Sequence, residues 1–261
     1  MALLEIHDLT KRFGGLVAVN GVTMGVGEGE IVGLIGPNGS GKSTMVNLVT
    51  GVLQPTSGRL DFDGRDITRL PSWRINRLGI SRTFQLLRLF PSLTVAQNVA
   101  MPLAPRHGSS PFASFLGTRA ARIDEEEAYA RACDLLDLFE LGRFADRPAS
   151  ALSVGQQRMV ELARGVITNP RLFVLDEPAA GLSPPNVDKL IALVRRLRDE
   201  RGITILLVEH VMRVVQELCD RVVVLDYGVK IADGPPRAVS EDPKVVEAYI
   251  GGGKVKRRAR A

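Results

Sequence analysis

Apolar and polar residues alternate at the start of the chain, and this pattern predicts antiparallel strands. The stretches 3–13 and 16–30 both show the alternation, which is typical of half-exposed strands. The next stretch, EIVGLIG at 30–36, is apolar almost throughout and predicts a strand that is buried on both faces. A glycine-rich turn and a helical segment over 42–53 follow it.

The middle of the chain changes to a helical pattern. Residues 93–103 have a helical spacing of apolar positions, and residues 124–142 predict a stronger helix. Asp124 with Glu127 resembles a capping box at the start of this helix, and Gly142 predicts its end. One face of the helix is apolar and contains Ala128, Ala132, Leu135 and Phe139.

Strands and helices alternate in the last part of the chain. Apolar runs within 171–178, 203–210 and 221–226 predict strands, and helical segments over 184–202 and 211–219 lie between them. Such alternation favours right-handed crossovers and a parallel sheet. We therefore predict an α/β fold with an antiparallel β subdomain and an inserted α-helical subdomain.

The changes of pattern and of charge divide the chain. We expect an α/β core at 1–91 and 156–250, a helical subdomain at 92–155 and a basic tail at 251–261. The tail carries five of the 34 Lys and Arg residues and no acid, so the rest has as many basic residues as its 29 acidic ones. The net charge of +5 thus belongs to a tail that is solvated or contacts anionic lipid, which argues against nucleic-acid binding.

No apolar run approaches the roughly 18 residues that a membrane span needs. The N-terminus carries charges where a signal peptide would be apolar. We therefore expect the chain to stay in the cytosol. Cys133 and Cys219 lack metal-ligand spacing and are expected to be buried free thiols.

The segment GPNGSGKST fits the phosphate-loop pattern G-x-x-x-x-G-K-[ST], and it lies between a predicted strand and a predicted helix. Lys42 would reach the β- and γ-phosphate oxygens, Ser43 would bind Mg²⁺, and Thr44 would hold the α-phosphate side. A purely structural glycine turn is the alternative. The predicted nucleotide-binding residues of the loop are Gly36, Pro37, Asn38, Gly39, Ser40, Gly41, Lys42, Ser43 and Thr44.

Polar side chains end two of the predicted strands. Asp176 and Glu177 follow the run LFVL, and His210 ends the run ITILLVE. Open α/β sheets bind ligands at the carboxyl ends of their strands. Asp176 would hold the Mg²⁺ water shell, Glu177 would be the base that orients the attacking water, and His210 would approach the γ-phosphate. The predicted catalytic residues are therefore Lys42, Glu177 and His210, with a solvated strand end or a simple cap as the alternative.

Two further residues would complete a nucleotide site. Gln85 lies where the α/β pattern meets the helical stretch, and its neutral amide would touch the metal or the water. Phe13 would stack on the adenine ring. The alternatives are a structural role for Gln85 and a place in the core for Phe13.

A second phosphate site is predicted at LSVGQQ, residues 152–157, where a loop runs into a helix. A helix start offers N–H groups and the positive end of the helix dipole. Its predicted nucleotide contacts are Ser153, Gly155 and Gln156. The chain thus has two phosphate sites for one nucleotide.

Together these segments resemble the ATP-binding subunit of ABC transporters over residues 3–250. GPNGSGKST resembles the Walker A motif of that family, and LFVLDEP its Walker B motif. LSVGQQR resembles the signature and AAGLSP the D-loop. Gln85 and His210 take the places of the Q-loop glutamine and the switch histidine. The resemblance implies a P-loop NTPase (RecA-like) core that uses ATP and Mg²⁺, with the metal near Ser43, Gln85 and Asp176.

The resemblance also explains the two phosphate sites. In that family two cassettes pair head to tail, so Ser153 and Gly155 would cap ATP that is held by the partner's Walker A motif. Val154 departs from the glycine that is usual in the signature, and we expect the backbone geometry to survive this change.

Finer features resemble the branched-chain amino-acid uptake type (LivG-like). They are SRTFQLLRLFPSLTVAQNV, LDEPAAGLSP, an insert near 104–123 and the final DPKVVEAYIGG. This resemblance implies two transmembrane permeases, a second ATP-binding subunit and a periplasmic or extracellular solute-binding protein as partners. It implies a peripheral location on the cytoplasmic face of the inner membrane. Urea or short-chain amide importers and lipopolysaccharide exporters share much of the pattern and stay open.

Non-transport ATPases with the same motifs are the remaining class. A chromosome or DNA-repair ATPase would need a long coiled coil between Walker A and signature, and a ribosome-associated factor usually carries two cassettes. This chain has neither. A stand-alone regulatory nucleotide-binding module stays open.

Overall fold

The computed structural model describes residues 2–83, 89–103 and 119–258. Its contacts divide the chain into two compact units. Unit 1 comprises Met1–Arg82, Arg171–Ala180 and Val194–Ala261, and unit 2 comprises Thr83–Pro170 and Gly181–Leu193. Gln85 and most of the predicted insert lie outside the described residues.

The regular elements are numbered in chain order. The strands are β1 (Ala2–Phe13), β2 (Leu16–Gly27), β3 (Ile31–Ile35), β4 (Ser57–Phe62), β5 (Arg65–Asp66), β6 (Ile80–Arg82), β7 (Leu172–Asp176), β8 (Thr204–Val208), β9 (Arg221–Asp226) and β10 (Val229–Gly234). The helices are α1 (Lys42–Val49), α2 (Ser72–Arg77), α3 (Val95–Ala100), α4 (Arg119–Leu138), α5 (Val154–Val166), α6 (Pro184–Arg201), α7 (Met212–Leu218), α8 (Pro236–Glu241) and α9 (Pro243–Arg258).

Unit 1 contains two sheets, as the alternating and the continuous apolar patterns predict. The antiparallel sheet has the strand order β2-β1-β4-β5, and the second sheet has the order β10-β9-β3-β8-β7-β6. In the second sheet every pairing is parallel except that of β10 with β9. All residues of β3, β7 and β8 are buried. Their carboxyl ends lie at one edge, where ligands bind in sheets of this kind.

Unit 2 is mainly helical and is organised by a buried amide. The side chain of Asn98 on α3 is fully buried. It donates to the carbonyls of Phe90, Leu93 and Thr94, and it accepts from the Phe90 N–H at 2.8 Å. The bonds fix the irregular segment that leads into α3, because an unpaired amide in the core would be costly.

The predicted capping box of the long helix is wrong. The helix α4 begins at Arg119, so Asp124 lies inside it and cannot be its N-cap. The helix also ends at Leu138, before the predicted Gly142, because Glu140 takes a left-handed conformation with φ 57°. All four residues of its predicted apolar face are buried, and Phe139 lies directly after the end of the helix.

The observed units divide the chain at other positions than the predicted boundaries at 92, 155 and 250. Residues 156–170 group with unit 2, because α5 packs on α3 and α4. The helix α9 continues across residue 250 as far as Arg258, so the basic tail begins within a helix.

Two smaller expectations concern the cysteines and membrane spans. Cys219 is buried as predicted, but Cys133 is only half-buried, which corrects that expectation. Both are free thiols. Within the described part of the chain, no helix has both the length and the apolar character to cross a membrane.

Candidate nucleotide-binding site

The phosphate loop between β3 and α1 has a backbone that only glycine fits. Gly36, Gly39 and Gly41 have φ values of 149°, 84° and 105°, which side chains rarely adopt. A Cβ at Gly36 would overlap the carbonyl oxygen of Leu225, and one at Gly41 would overlap that of Ala18. The glycines of the sequence pattern are thus explained by backbone packing in unit 1.

The turn between β9 and β10 supports this loop from outside the motif. The Gly228 N–H donates to the Ser40 carbonyl at 3.0 Å, and the Gly228 carbonyl accepts from the Asn20 N–H at 2.8 Å. Gly228 has φ 80°, and a Cβ there would lie 2.7 Å from the Ala18 oxygen. Sequence reasoning missed this residue, and the only signal for it was a glycine just after a strand.

Lys42 is the first residue of α1, and its amine is held inside the loop. The Nζ atom donates to the carbonyls of Gly36 and Pro37 at 2.7 and 2.9 Å. Burial lowers the pKa of Lys42, and the carboxylates of Glu177 and Asp176 oppose this shift. The amine therefore lies within electrostatic range of both acidic residues that end β7.

The start of α1 is open. Its N-cap is Gly41, and no side chain caps the helix. Asn38, Gly39 and Ser43 are exposed, and Thr44 is half-buried. Because first-turn N–H groups lack intrahelical partners, this helix start suits an anionic ligand such as phosphate.

Asp176 ends β7 and is buried next to a cation that sequence reasoning missed. Burial raises the pKa of Asp176, while the Arg82 guanidinium opposes the shift. The Arg82 Nη2 atom lies 3.5 Å from Asp176 Oδ2, and its Nη1 atom donates to Asn47 Oδ1 at 2.7 Å and to Thr50 Oγ1 at 3.2 Å. Arg82 therefore connects β7 to α1. A charged residue at the end of the short strand β6 was the available signal.

Glu177 and His210 approach each other at the same edge of the sheet. His210 Nδ1 and Glu177 Oε1 are 3.9 Å apart, and the His210 side chain is 56% exposed. Glu177 has a left-handed backbone with φ 50°, a conformation that costs energy in a residue with a side chain and is often found at functional sites. Unit 1 thus brings together the three predicted catalytic residues, which include Lys42.

Phe13 is 45% exposed at the end of β1. Its ring contacts the Lys11 amine, which lies 5.1 Å from the ring centroid. The alternative that Phe13 lies in the core is therefore wrong, and its ring is accessible for stacking. Gln85 lies outside the described residues.

The signature segment lies at the start of α5 in unit 2. Ser153 is the N-cap, and it forms a capping box with Gln156. The Ser153 N–H donates to Gln156 Oε1 at 2.9 Å, and Ser153 Oγ accepts from the Gln156 N–H at 3.4 Å. Val154 is 60% exposed, so the unusual side chain is accommodated without disturbing the helix start.

Gly155 has no room for a side chain. A Cβ there would lie 2.6 Å from the Nδ2 atom of Asn186 on α6. The loop before the helix is held by Gln157, whose Nε2 atom donates to the carbonyls of Ala149 and Leu152 at 3.2 and 3.1 Å. Sequence reasoning singled out Gly155 but missed Asn186, its packing partner.

The donor set fits magnesium only together with a nucleotide. Among the described residues, no group of three or more His, Cys, Asp and Glu side chains could hold a metal ion. Mg²⁺ bound to nucleotide phosphates needs only one or two protein oxygens. The Ser43 hydroxyl, next to Lys42 in the sequence, and the Asp176 carboxylate, within electrostatic range of the Lys42 amine, have oxygens of the type that could serve in this way.

Comparison with known proteins agrees with this geometry. The family description "ABC transporter" matches residues 19–180, and "Branched-chain amino acid ATP-binding cassette transporter" matches residues 229–255. The chain is 44% identical to the high-affinity branched-chain amino acid transport ATP-binding protein BraF of Pseudomonas aeruginosa over 249 residues, which are 95% of this chain and 98% of that protein.

Solved structures show the same similarity. The ADP conformation of MJ1267, an ATP-binding cassette of an ABC transporter, has a TM-score of 0.84 and 37% identity, covering 96% of this chain and 99% of that one. The dimeric post-hydrolysis state of the cassette MJ0796, bound to ADP and Pi, has a TM-score of 0.76 and 29% identity, covering 90% and 99%.

Proposed function

The chain belongs to the ATP-binding cassette family of ABC transporters, and from this premise we propose that it is the ATP-hydrolysing subunit of an importer for branched-chain amino acids. The main observation behind this cargo is the likeness to BraF over nearly the whole of both chains. The second family match, at residues 229–255, supports the same cargo.

The phosphate loop would bind the nucleotide through its backbone. The open start of α1 presents N–H groups to the phosphates, and the Lys42 amine adds positive charge at the β- and γ-phosphates. Ser43 and Asp176 would hold Mg²⁺, together with Gln85. The metal, when bound, neutralises charge that develops on the phosphate oxygens during transfer. Phe13 would stack on the adenine.

Glu177 would orient and deprotonate the attacking water. Its carboxylate lies beside the His210 ring, so His210 would hold the γ-phosphate and the water in place. Glu177 follows Asp176 directly but lies outside β7 and has a left-handed backbone, and we propose different roles for the two adjacent carboxylates. Positioning and electrostatics supply most of the rate in such reactions.

Ser153, Gly155 and Gln156 would contact ATP that is bound to a second cassette. Their place at a helix start supports this role, and a related cassette is dimeric with ADP and Pi. ATP would close the dimer, and hydrolysis would release it. We propose two transmembrane permeases and a solute-binding protein as the other partners, with the chain peripheral on the cytoplasmic face of the membrane.

Glu177→Gln tests the hydrolytic mechanism. The variant should bind ATP normally but hydrolyse it about 10²- to 10⁴-fold more slowly, because the base is lost. It should also accumulate as a dimer with ATP, which light scattering would detect. Wild-type turnover in this variant would refute the assignment of Glu177 as the base.

Deletion of the gene tests the cargo. Uptake of labelled leucine, isoleucine and valine should fall in the deletion strain and return with the wild-type gene but not with Glu177→Gln. Loss of urea or amide uptake instead, or a lipopolysaccharide export defect, would identify one of the alternative transporters. Recovery of the chain with ribosomes or DNA rather than with membranes would overturn the transport function itself.

A further inference from the structure

Glu209 is a buried carboxylate beside the catalytic pair. It directly follows β8, and only 1% of its surface is exposed. An ionised side chain at this depth is costly unless it is well hydrogen-bonded. Its bonding partners therefore indicate what the residue is for.

The two carboxylate oxygens accept from three backbone N–H groups. Oε1 accepts from Ala179 at 2.8 Å, and Oε2 accepts from His210 at 2.9 Å and from Val211 at 3.0 Å. Ala179 lies two residues after Glu177, on the other strand connection. One side chain thus bridges the segment that carries Glu177 and the segment that carries His210.

This bridge extends the pairing of β7 with β8 beyond the end of the strands. Asp176 is paired with Val208, and the Glu177 N–H donates to the Val208 carbonyl at 2.9 Å. The strands then diverge into loops, and the Glu209 carboxylate supplies the next cross-link. The Ala180 N–H donates to the Glu177 carbonyl at 3.1 Å. These bonds together hold Glu177 in its left-handed conformation, which persists only when its surroundings enforce it.

The His210 ring lies between the two acids. Its Nδ1 atom is 3.9 Å from Glu177 Oε1 and also 3.9 Å from Glu209 Oε2. The hydrogen bonds that Glu209 accepts from the backbone therefore fix the backbone positions from which the Glu177 and His210 side chains extend. Glu209 itself is buried, and within the described part of the chain its carboxylate bonds to Ala179, His210 and Val211, none of which belongs to the phosphate loop.

We propose that Glu209 is a positioning residue for ATP hydrolysis, whose carboxylate clamps the backbones of Ala179, His210 and Val211 and so sets the spacing between Glu177 and His210. The inference rests on the proposed ATPase function. It predicts a defect in the hydrolytic step and not in nucleotide binding, because none of the hydrogen bonds that the described residues make with the Glu209 carboxylate comes from the phosphate loop.

Glu209→Gln is the test, because an amide has the same shape but only one acceptor oxygen for three donors. In the full chain, assembled with the partner subunits proposed above, kcat for ATP hydrolysis should fall about 10- to 100-fold. The affinity for a non-hydrolysable ATP analogue should stay within about twofold of wild type. Glu217→Gln, which removes an exposed carboxylate from α7, is the matched control and should leave kcat unchanged.

Coupling distinguishes positioning from a general loss of structure. If Glu209 acts through the catalytic pair, its substitution should lower kcat much less in a His210→Ala background than in the wild type. If Glu209→Gln does not fold, Glu209→Asp keeps the charge but shortens the reach, and its kcat is interpreted in the same way.

Three outcomes would overturn the proposal. They are a wild-type kcat in the folded variant, a loss of analogue binding as large as the loss of kcat, and full additivity with His210→Ala. Failure of the wild-type chain to hydrolyse ATP would instead overturn the proposed function, and the role of Glu209 with it.

Discussion

Two helix starts in this chain are expected to contact phosphate, and they are built differently. The helix α1 begins after Gly41, which has φ 105° and offers no side-chain cap. The helix α5 begins after Ser153, which forms a capping box with Gln156. One start is left open by glycine, and the other is already capped by its own side chains.

The difference shows how far each of the two half-sites, the phosphate loop before α1 and the signature segment before α5, is formed before the ligand binds. The loop before α1 is held by backbone bonds that do not involve its ligand-facing groups, such as that from the Gly228 N–H to the Ser40 carbonyl. The Ser153 hydroxyl, by contrast, is already used within α5. A phosphate at α5 must therefore add to the capping box or displace it, which makes this half-site the weaker one in a lone chain.

The largest effect is expected at the phosphate loop. Gly36→Ala forces a Cβ onto the Leu225 carbonyl and strains a backbone that has positive φ. Strain and overpacking together should weaken ATP binding by about 10²- to 10⁴-fold, measured by titration with a fluorescent ATP analogue. Gly39→Ala is the control, since it shares the strain of a positive φ but nothing lies within 4 Å of its Cβ, and it should lose far less. Equal losses in both variants would contradict this account of the loop.

Removal of the cap at α5 should have an intermediate effect. Ser153→Ala should destabilise the helix by about 1 kcal/mol and lower ATP hydrolysis about 10- to 100-fold through the lost phosphate contact. Thr94→Ala is the matched control, because Thr94 forms the same capping box with Gln97 on α3. It should show a similar loss in urea unfolding with unchanged hydrolysis. A Thr94→Ala variant with equally slow hydrolysis would reduce the role of Ser153 to helix stability.

Gly155 provides a smaller effect that can be reversed. Its Cβ in Gly155→Ala meets the end of a flexible side chain, Asn186 Nδ2, and not a backbone atom. Hydrolysis should fall about fivefold to tenfold, and adding Asn186→Ala should restore much of it, with Asn186→Ala alone as the control. No second substitution of a side chain should rescue Gly36→Ala, because the obstacle there is a carbonyl. If Asn186→Ala fails to restore Gly155→Ala, the close contact is not the cause of its defect.

The reactivity of one cysteine in each unit, Cys133 in unit 2 and Cys219 in unit 1, allows the two units to be compared. Labelling these thiols is not expected to affect ATP hydrolysis. Burial raises the pKa of Cys219 to about 12 and also raises that of Cys133. Thiolate is the species that reacts with iodoacetamide, so the native chain at pH 8 should be labelled at Cys133 at least about tenfold faster. Because its pKa lies far above the assay range, labelling of Cys219 should rise about tenfold per pH unit from pH 7 to 10. Mass spectrometry of both sites checks this, and faster labelling at Cys219 would show that the segment between α7 and β9 opens more readily than the fold implies.

Local chemistry in the sequence was enough to predict the phosphate loop. Its glycines and Lys42 form a continuous motif, and the predicted flanking strand and helix are β3 and α1. The buried strands were also predictable, since their apolar runs need cover on both faces. The limits of the long helix were less predictable, because the sequence pattern indicated 124–142 whereas α4 spans Arg119–Leu138.

Contacts between distant segments were not predictable. Asn186 and Gly155 are 31 positions apart in the sequence, and nothing in either motif indicates that their atoms approach each other. The same is true of the contact between Arg82 and Asp176 and of the contact between Gly228 and the phosphate loop. Glu209 stood next to a residue that was singled out, yet its side chain turns inward while that of His210 is exposed.

The sequence by itself therefore predicted which residues would bind phosphate and that the core is a parallel sheet, because both depend on residues that are close together along the chain. Only the tertiary structure decided which groups hold those residues in place and how ready each helix start is for its ligand. The physical reason is that a buried carboxylate, a glycine contact or a cap is defined by the atoms facing it, and those atoms come from segments that only folding brings together.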